Sequence, residues 1–171
     1  MTCLFQDALA PVGAPTTDTL DANGNLTVAN TGGALTTNTW SPQNQVLNLA
    51  NPDGTSGQYL YSQDGLHKGA TTGSGTTLFT MDGPSVLLET TTVGTLQARY
   101  TSCPDQYGGL VSQNRGGASS FYGFDSQQSS RVLVSTGGAI TDSYSYKAFG
   151  EELQSGSASV NPYRYVGNQG Y

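Results

Sequence analysis

Leu20-Asp21-Ala22-Asn23-Gly24-Asn25-Leu26 sets a large apolar residue before an Asn-Gly turn and a short apolar segment after it. Asn-Gly supplies the left-handed backbone that tight hairpins need, so the stretch reads as the tip of a β-hairpin. The arrangement returns at Trp40-Ser41-Pro42-Gln43-Asn44-Gln45-Val46 and at Phe124-Asp125, which runs on to Arg131-Val132-Leu133. The large residues that end such segments are Leu20, Trp40, Tyr61, Met81, Tyr100, Phe124, Tyr146 and Tyr165, spaced 19 to 24 residues apart. A fixed period of this length marks a repeat, each unit one hairpin.

Further turn signals stand at Asp53-Gly54, Asp64-Gly65 and Asp82-Gly83, and at the Gly pairs 32–33, 108–109, 116–117 and 137–138. Between them Gln58-Tyr59-Leu60-Tyr61, Leu78-Phe79-Thr80-Met81, Ser143-Tyr144-Ser145-Tyr146 and Pro162-Tyr163-Arg164-Tyr165 alternate, so each predicts a strand with an aromatic face. Windows 16–39, 71–80 and 90–101 are rich in Thr, Val, Tyr and Gly and lack helical periodicity. The expected fold is all-β: antiparallel hairpin repeats of about 20 residues side by side in a continuous curved sheet. One such unit cannot bury its aromatic face alone, so neighbours must share it. No edge cap is visible, which predicts marginal stability or self-association of the isolated chain.

Composition excludes several classes. The 171 residues carry a net charge of −6, and only 11% are charged where about 25% is usual. Six dispersed basic residues, Lys68, Arg99, Arg115, Arg131, Lys147 and Arg164, do not make a phosphate-tracking groove, so nucleic acid is not an expected partner. No apolar run is long enough to span a membrane as a helix. Residues 1–15 lack a basic start and contain Asp7, so no signal peptide is visible. The 10 Tyr, 5 Phe and one Trp argue for order. Cys3 and Cys103 fit a disulfide or two free thiols equally well.

Chemistry-bearing residues are few. His67 is the only histidine, so neither a His-based triad nor a multi-His metal site can form within the chain, and it reads as a surface or hairpin residue. Residues 21–25 faintly match a calcium loop, but Leu26 and Gly32 stand where an EF-hand needs Gly and Glu. Glu151-Glu152 is the only adjacent acidic pair and reads as a solvated turn, since neighbours on a strand point to opposite faces. Tyr144, Tyr146, Tyr163, Tyr165 and Tyr171 fit a packed inner face, with a carbohydrate or peptide platform as the alternative. Asn25-Leu26-Thr27 is a glycosylation sequon only in a host that glycosylates, and Thr72-Gly73-Ser74-Gly75 lacks the ending of a phosphate loop. No catalytic, metal-binding or cofactor-binding residue is assigned, and the chain is not read as an enzyme.

These motifs resemble the YD-repeat, or Rhs, proteins of bacteria. Residues 20–27 are similar to the family's Tyr-Asp-x-x-Gly-Asn-Leu-Thr unit with Leu20 in the Tyr place, and Thr39-Trp40 with Asn44-Gln45-Val46 to its Thr-Trp-Asp variant. Further on, four motifs follow in order the pattern of the Rhs-associated core. They are Phe121-Tyr122-Gly123-Phe124-Asp125, Ser129-Ser130-Arg131-Val132-Leu133, residues 142–151 (with Phe149 and Gly150), and Asn161-Pro162-Tyr163-Arg164-Tyr165-Val166-Gly167. The family's Asp after the aromatic is kept at Asp21, Asp82 and Asp125 but replaced by Ser41, Ser62, Thr101, Lys147 and Val166, and Gln127-Gln128 stand where Leu-Gly is usual. The expectation is an intact aromatic face with weakened turn chemistry.

The resemblance implies a three-part chain: an irregular segment at 1–17, degenerate YD-type hairpins at 18–120, and core-like repeats at 121–171. It implies a non-catalytic segment of a β-shell that encloses or presents an effector domain encoded elsewhere, at the cell surface or outside the cell. Its partners would be the rest of a longer Rhs-like chain and that effector. The alternative is a β-rich adhesin segment that holds a surface glycan or protein.

Overall fold

The computed structural model describes residues 17–83, 85–103, 109–156 and 159–167. Fourteen strands form one antiparallel sheet in strict sequence order. They are β1 (Thr19–Leu20), β2 (Leu26–Thr31), β3 (Ala34–Trp40), β4 (Val46–Ala50), β5 (Ser56–Tyr61), β6 (His67–Thr72) and β7 (Gly75–Asp82). The remainder are β8 (Ser85–Thr91), β9 (Leu96–Ser102), β10 (Leu110–Arg115), β11 (Ala118–Phe124), β12 (Ser130–Ser135), β13 (Ile140–Tyr146) and β14 (Glu152–Gly156). The all-β hairpin array expected from the repeat is thus observed. Two compact units divide at Thr76/Thr77.

One turn recurs. At 21–25, 41–45, 51–55, 62–66, 91–95, 125–129, 135–139 and 147–151 the first residue's N–H donates to the fifth's carbonyl and the fourth's N–H to the first's carbonyl. The fourth residue always has positive φ, from 61° at Asn44 to 89° at Gly150. This is the three-residue hairpin loop whose left-handed residue creates a bulge, and it places the preceding residue opposite the one six further on. Leu20 therefore faces Leu26, Trp40 faces Val46, Tyr61 faces His67, Phe124 faces Ser130 and Tyr146 faces Glu152. Thr31 and Ala34, and Arg115 and Ala118, are joined instead by two-residue Gly-Gly turns.

One expected strand is corrected. Pro162–Tyr165 is not a strand: residues 159–167 run as an irregular strap packed on strands of the second unit, because Tyr163 is buried, the Tyr163 and Arg164 carbonyls accept from Ser130 of β12, and the N–H groups of Ser159, Tyr163 and Val166 go to side chains of Asp142, Asn161 and Ser129 rather than to a strand's backbone. The turn expected at Asp82-Gly83 is present, Asp82 pairing with Ser85 across it, while Thr101 lies inside β9.

The units differ in depth. In the first, Gly57 and Gly69 are buried, while no large apolar side chain is, among the described residues. The second holds the core: Phe79, Val86, Ala98, Tyr100, Leu110 and Tyr163, with Met81, Tyr122 and Phe124 packed against it.

Candidate functional site

In six of the eight five-residue turns among the described residues, the first side chain accepts at least one N–H group of its own turn. Asp21 Oδ1 accepts the N–H groups of Asn23 and Asn25, both at 2.9 Å. Asp125 Oδ1 accepts those of Gln127 at 3.0 Å and Ser129 at 2.9 Å. Ser41 Oγ accepts from Gln43 and Gln45, each at 3.2 Å. Ser62 Oγ accepts from Leu66, and Thr91 Oγ1 from Thr95, each at 3.1 Å. A hydroxyl at this place keeps the acceptor, so Ser41 and Ser62 preserve turn chemistry that the sequence predicted to be weakened. Lys147 has no acceptor, and its Nζ instead reaches Glu151 at 2.7 Å. The Asp21 carboxyl lies below its ordinary range because Asn25, by side chain and then backbone, donates to the ionised form.

Along one edge of the first unit these turns are stitched together. Asn25 Nδ2 donates to Asn44 Oδ1 at 2.8 Å, and Gln45 Nε2 to the Gly65 carbonyl at 3.2 Å. Trp40 Nε1 donates to the Leu26 carbonyl at 2.9 Å, tying β3 back to β2. The ring of His67 lies 5.7 Å from that of Tyr59 and 5.4 Å from that of Tyr61, so this histidine is a half-buried ring in a hairpin. Burial lowers its pKa.

In the second unit the strap covers the aromatic face. Tyr163 meets Tyr100 edge-on at 4.9 Å and Tyr122 at 6.2 Å, while Tyr122 stacks on Phe124 at 5.5 Å. Ser129 and Ser130 are fully buried and anchor the strap: Ser130 N–H donates to the Arg164 carbonyl at 2.8 Å, Ser130 Oγ to the Tyr163 carbonyl at 2.5 Å, and Val166 N–H to Ser129 Oγ at 2.9 Å. Asp142, also buried, accepts from Ser159 N–H at 2.9 Å and Oγ at 2.8 Å. Asn161 Oδ1 accepts from Tyr163 N–H at 2.9 Å and Tyr122 Oη at 3.1 Å. Arg164 sits 5.2 Å over the Tyr144 ring and pairs with Glu152 at 2.5 Å. Tyr165 Oη donates to the Ala148 carbonyl at 2.7 Å, its ring 5.7 Å from Tyr146.

Beneath lies a charged group in the core. Glu89, 4% exposed, accepts from Tyr100 Oη at 2.5 Å and pairs with Arg115 Nη2 at 2.9 Å, which also reaches Tyr100 Oη at 2.7 Å. Burial first, then Glu89, pushes the Tyr100 phenol far above its ordinary value. Burial alone tends to lower Arg115, but Tyr100 and Glu89 outweigh it and hold the guanidinium charged. Tyr122 and Tyr144 are likewise raised, chiefly by burial, and Tyr146 is pushed up to about 12 by burial and Glu152. Phenols shifted in this way stay protonated, and those of Tyr100 and Tyr122 donate hydrogen bonds, to Glu89 and to Gln113 and Asn161.

The positions singled out by sequence are thus dispersed along the sheet. Leu20, Trp40, Tyr61, Phe124 and Tyr146 each precede a five-residue turn, Asp21 and Asp125 begin one, and Gly24 and Gly150 are its left-handed residues. Arg131 is 3.9 Å from Asp125, and Phe149 is 90% exposed. Met81, Tyr100, Tyr144 and Tyr163 pack inward, Tyr144 and Tyr163 being 3% and 4% exposed, which leaves their faces no room to stack on a ligand. Glu151 and Glu152 are engaged by Lys147 and Arg164 respectively. Sequence reasoning missed Glu89 and Asn161; the one signal for Glu89 is a carboxylate closing the apolar run Val86-Leu87-Leu88. Cys103 is exposed and unbonded, and Cys3 lies outside the described residues. Among the described residues no helix is long and apolar enough to cross a membrane.

No family model matches the chain, and no curated protein matches it. Among solved structures, it is similar to a chain of the Photorhabdus luminescens Tc holotoxin pore in a TccC3 mutant form, at 15% identity and a TM-score of 0.53, over 89% of this chain and 10% of that one. It also matches a chain of the TcdB2-TccC3 crystal structure at 12% identity and a TM-score of 0.37, over 80% and 9% of the two chains. The chain spans about a tenth of the length of these neighbours.

Proposed function

We propose that this chain is a non-catalytic wall segment of a YD-repeat, Rhs-type β-shell that encloses or presents an effector domain carried elsewhere on a longer chain, outside the cell or at its surface. The carrying observation is the turn that recurs with the same backbone bonds and the same six-residue pairing along a sheet in strict sequence order. Such a sheet grows by adding hairpins, and each addition shares the apolar face of its neighbour. The sequence motifs support the Rhs assignment, and the fold likeness to a Tc holotoxin chain agrees with it. On this reading residues 18–120 and 121–171 are, respectively, degenerate YD hairpins and core-like repeats.

The test is to sequence the coding DNA on both sides and image the encoded particle by electron microscopy. Further YD-type hairpins and an unrelated domain inside a closed β-wall are expected. A particle in which this segment lies outside any wall overturns the proposal.

A further inference from the structure

The first unit carries a site that the wall role does not use. The Tyr59 ring end lies close over Gly57: a Cβ built on Gly57 would stand 3.0 Å from its Oη and 3.2 Å from its Cζ, so a larger residue there would push the ring outward by a few tenths of an ångström. Two open depressions have Tyr59 in their lining. One, of about 640 Å³, is bounded by Gln43, Gln45, Leu47 and Asp64; the other, of about 500 Å³, by Leu49, Asn51 and Ser74. From Gln45 to Asn51 an extended strand spans roughly 20 Å.

From these two depressions, read as one trough, we infer that the first unit binds a neutral oligosaccharide, stacked on the face of Tyr59, with its hydroxyls bonded by the Gln43 amide and by Gln45 Oε1, the Gln45 Nε2 being held by the Gly65 carbonyl. This inference is independent of the shell reading. The chemistry selects the ligand by what the trough offers and lacks. A flat phenol ring accepts the apolar face of a sugar. Amides and hydroxyls both donate and accept, as a polyol requires. Asp64 is the sole charged group in the lining and is engaged by Ser62 Oγ, and no cation lines either depression to hold a phosphate, sulfate or carboxylate. β4, β5 and β6 are paired on both sides, so a peptide cannot add there as a strand.

The test titrates the full chain with cellohexaose, maltohexaose and chitohexaose by calorimetry, with a heparin hexasaccharide as the anionic control. Binding of at least one neutral probe is expected. Tyr59→Phe should retain it, while Tyr59→Ala weakens it about tenfold or more, the loss of one stacked ring. Gln43→Ala, at the exposed rim, should weaken it several-fold with an unchanged melt, which keeps the test valid even where Tyr59→Ala disturbs folding. Failure of all three neutral probes, binding of the heparin probe alone, or affinity unchanged in both Tyr59→Ala and Gln43→Ala overturns the inference.

Discussion

Asp125 shows what one side chain contributes to the repeat: its carboxylate holds two N–H groups of its own turn. We predict that Asp125→Ala costs about 1–2 kcal/mol in urea unfolding, while Asp125→Ser restores most of it, as Ser41 and Ser62 do in their turns. Equal losses for Ala and Ser would disprove an acceptor role. The family-like Asp was legible here, but its equivalence to Ser was not, because equivalence rests on where a hydroxyl points once the turn has formed. Nor do residue preferences foresee Gln128 at positive φ, 67°; there the hairpin overrides the local cost of a left-handed side chain, which Asn44 at 61° tolerates better. His67 is more buried than a turn-flanking histidine suggests. Its lowered pKa means the folded state binds its proton less readily than the unfolded state, so stability is full above about pH 6.5 and declines as pH falls below that value. His67→Gln should flatten this part of the stability profile, and an unchanged slope would refute the assignment.

The strap is the element that sequence misread. Tyr163 and Tyr165 alternate as strand residues would, yet 159–167 crosses strands instead of joining them. Alternation reports that one face is buried; it cannot say whether the partner is a neighbouring strand or the broad face of a sheet. Tyr163→Ala should cost about 3–5 kcal/mol and expose the Ser130 and Val166 amides to hydrogen exchange while strand content is retained. Retained protection of both amides would show that the strap is held without its ring. Below it, Arg115→Ala leaves the Glu89 carboxylate buried without its cation, a loss of about 3–5 kcal/mol that Arg115→Lys should recover only in part. A change near zero would show that Glu89 is rescued by water.

For the whole molecule, the strand order among the described residues runs out at β1 and β14, each with a single described neighbour in the sheet. Unpaired strand edges invite further pairing, so the chain should associate as concentration rises, measured by sedimentation velocity. A monomer with one sharp melt across a hundredfold concentration range would contradict this. The sequence by itself determined the all-β class, the hairpin period and the antiparallel sheet, because turn residues and alternation act within a few residues of each other and do not need the rest of the chain. Tertiary structure decided which turns take five residues and which two, which face the strap covers, and where a carboxylate survives in the core. It also decided that Tyr59 lies over Gly57 beside an open trough while Tyr100 lies under Tyr163. These outcomes depend on groups far apart in the chain, whose packing and desolvation are settled only when the strands are side by side.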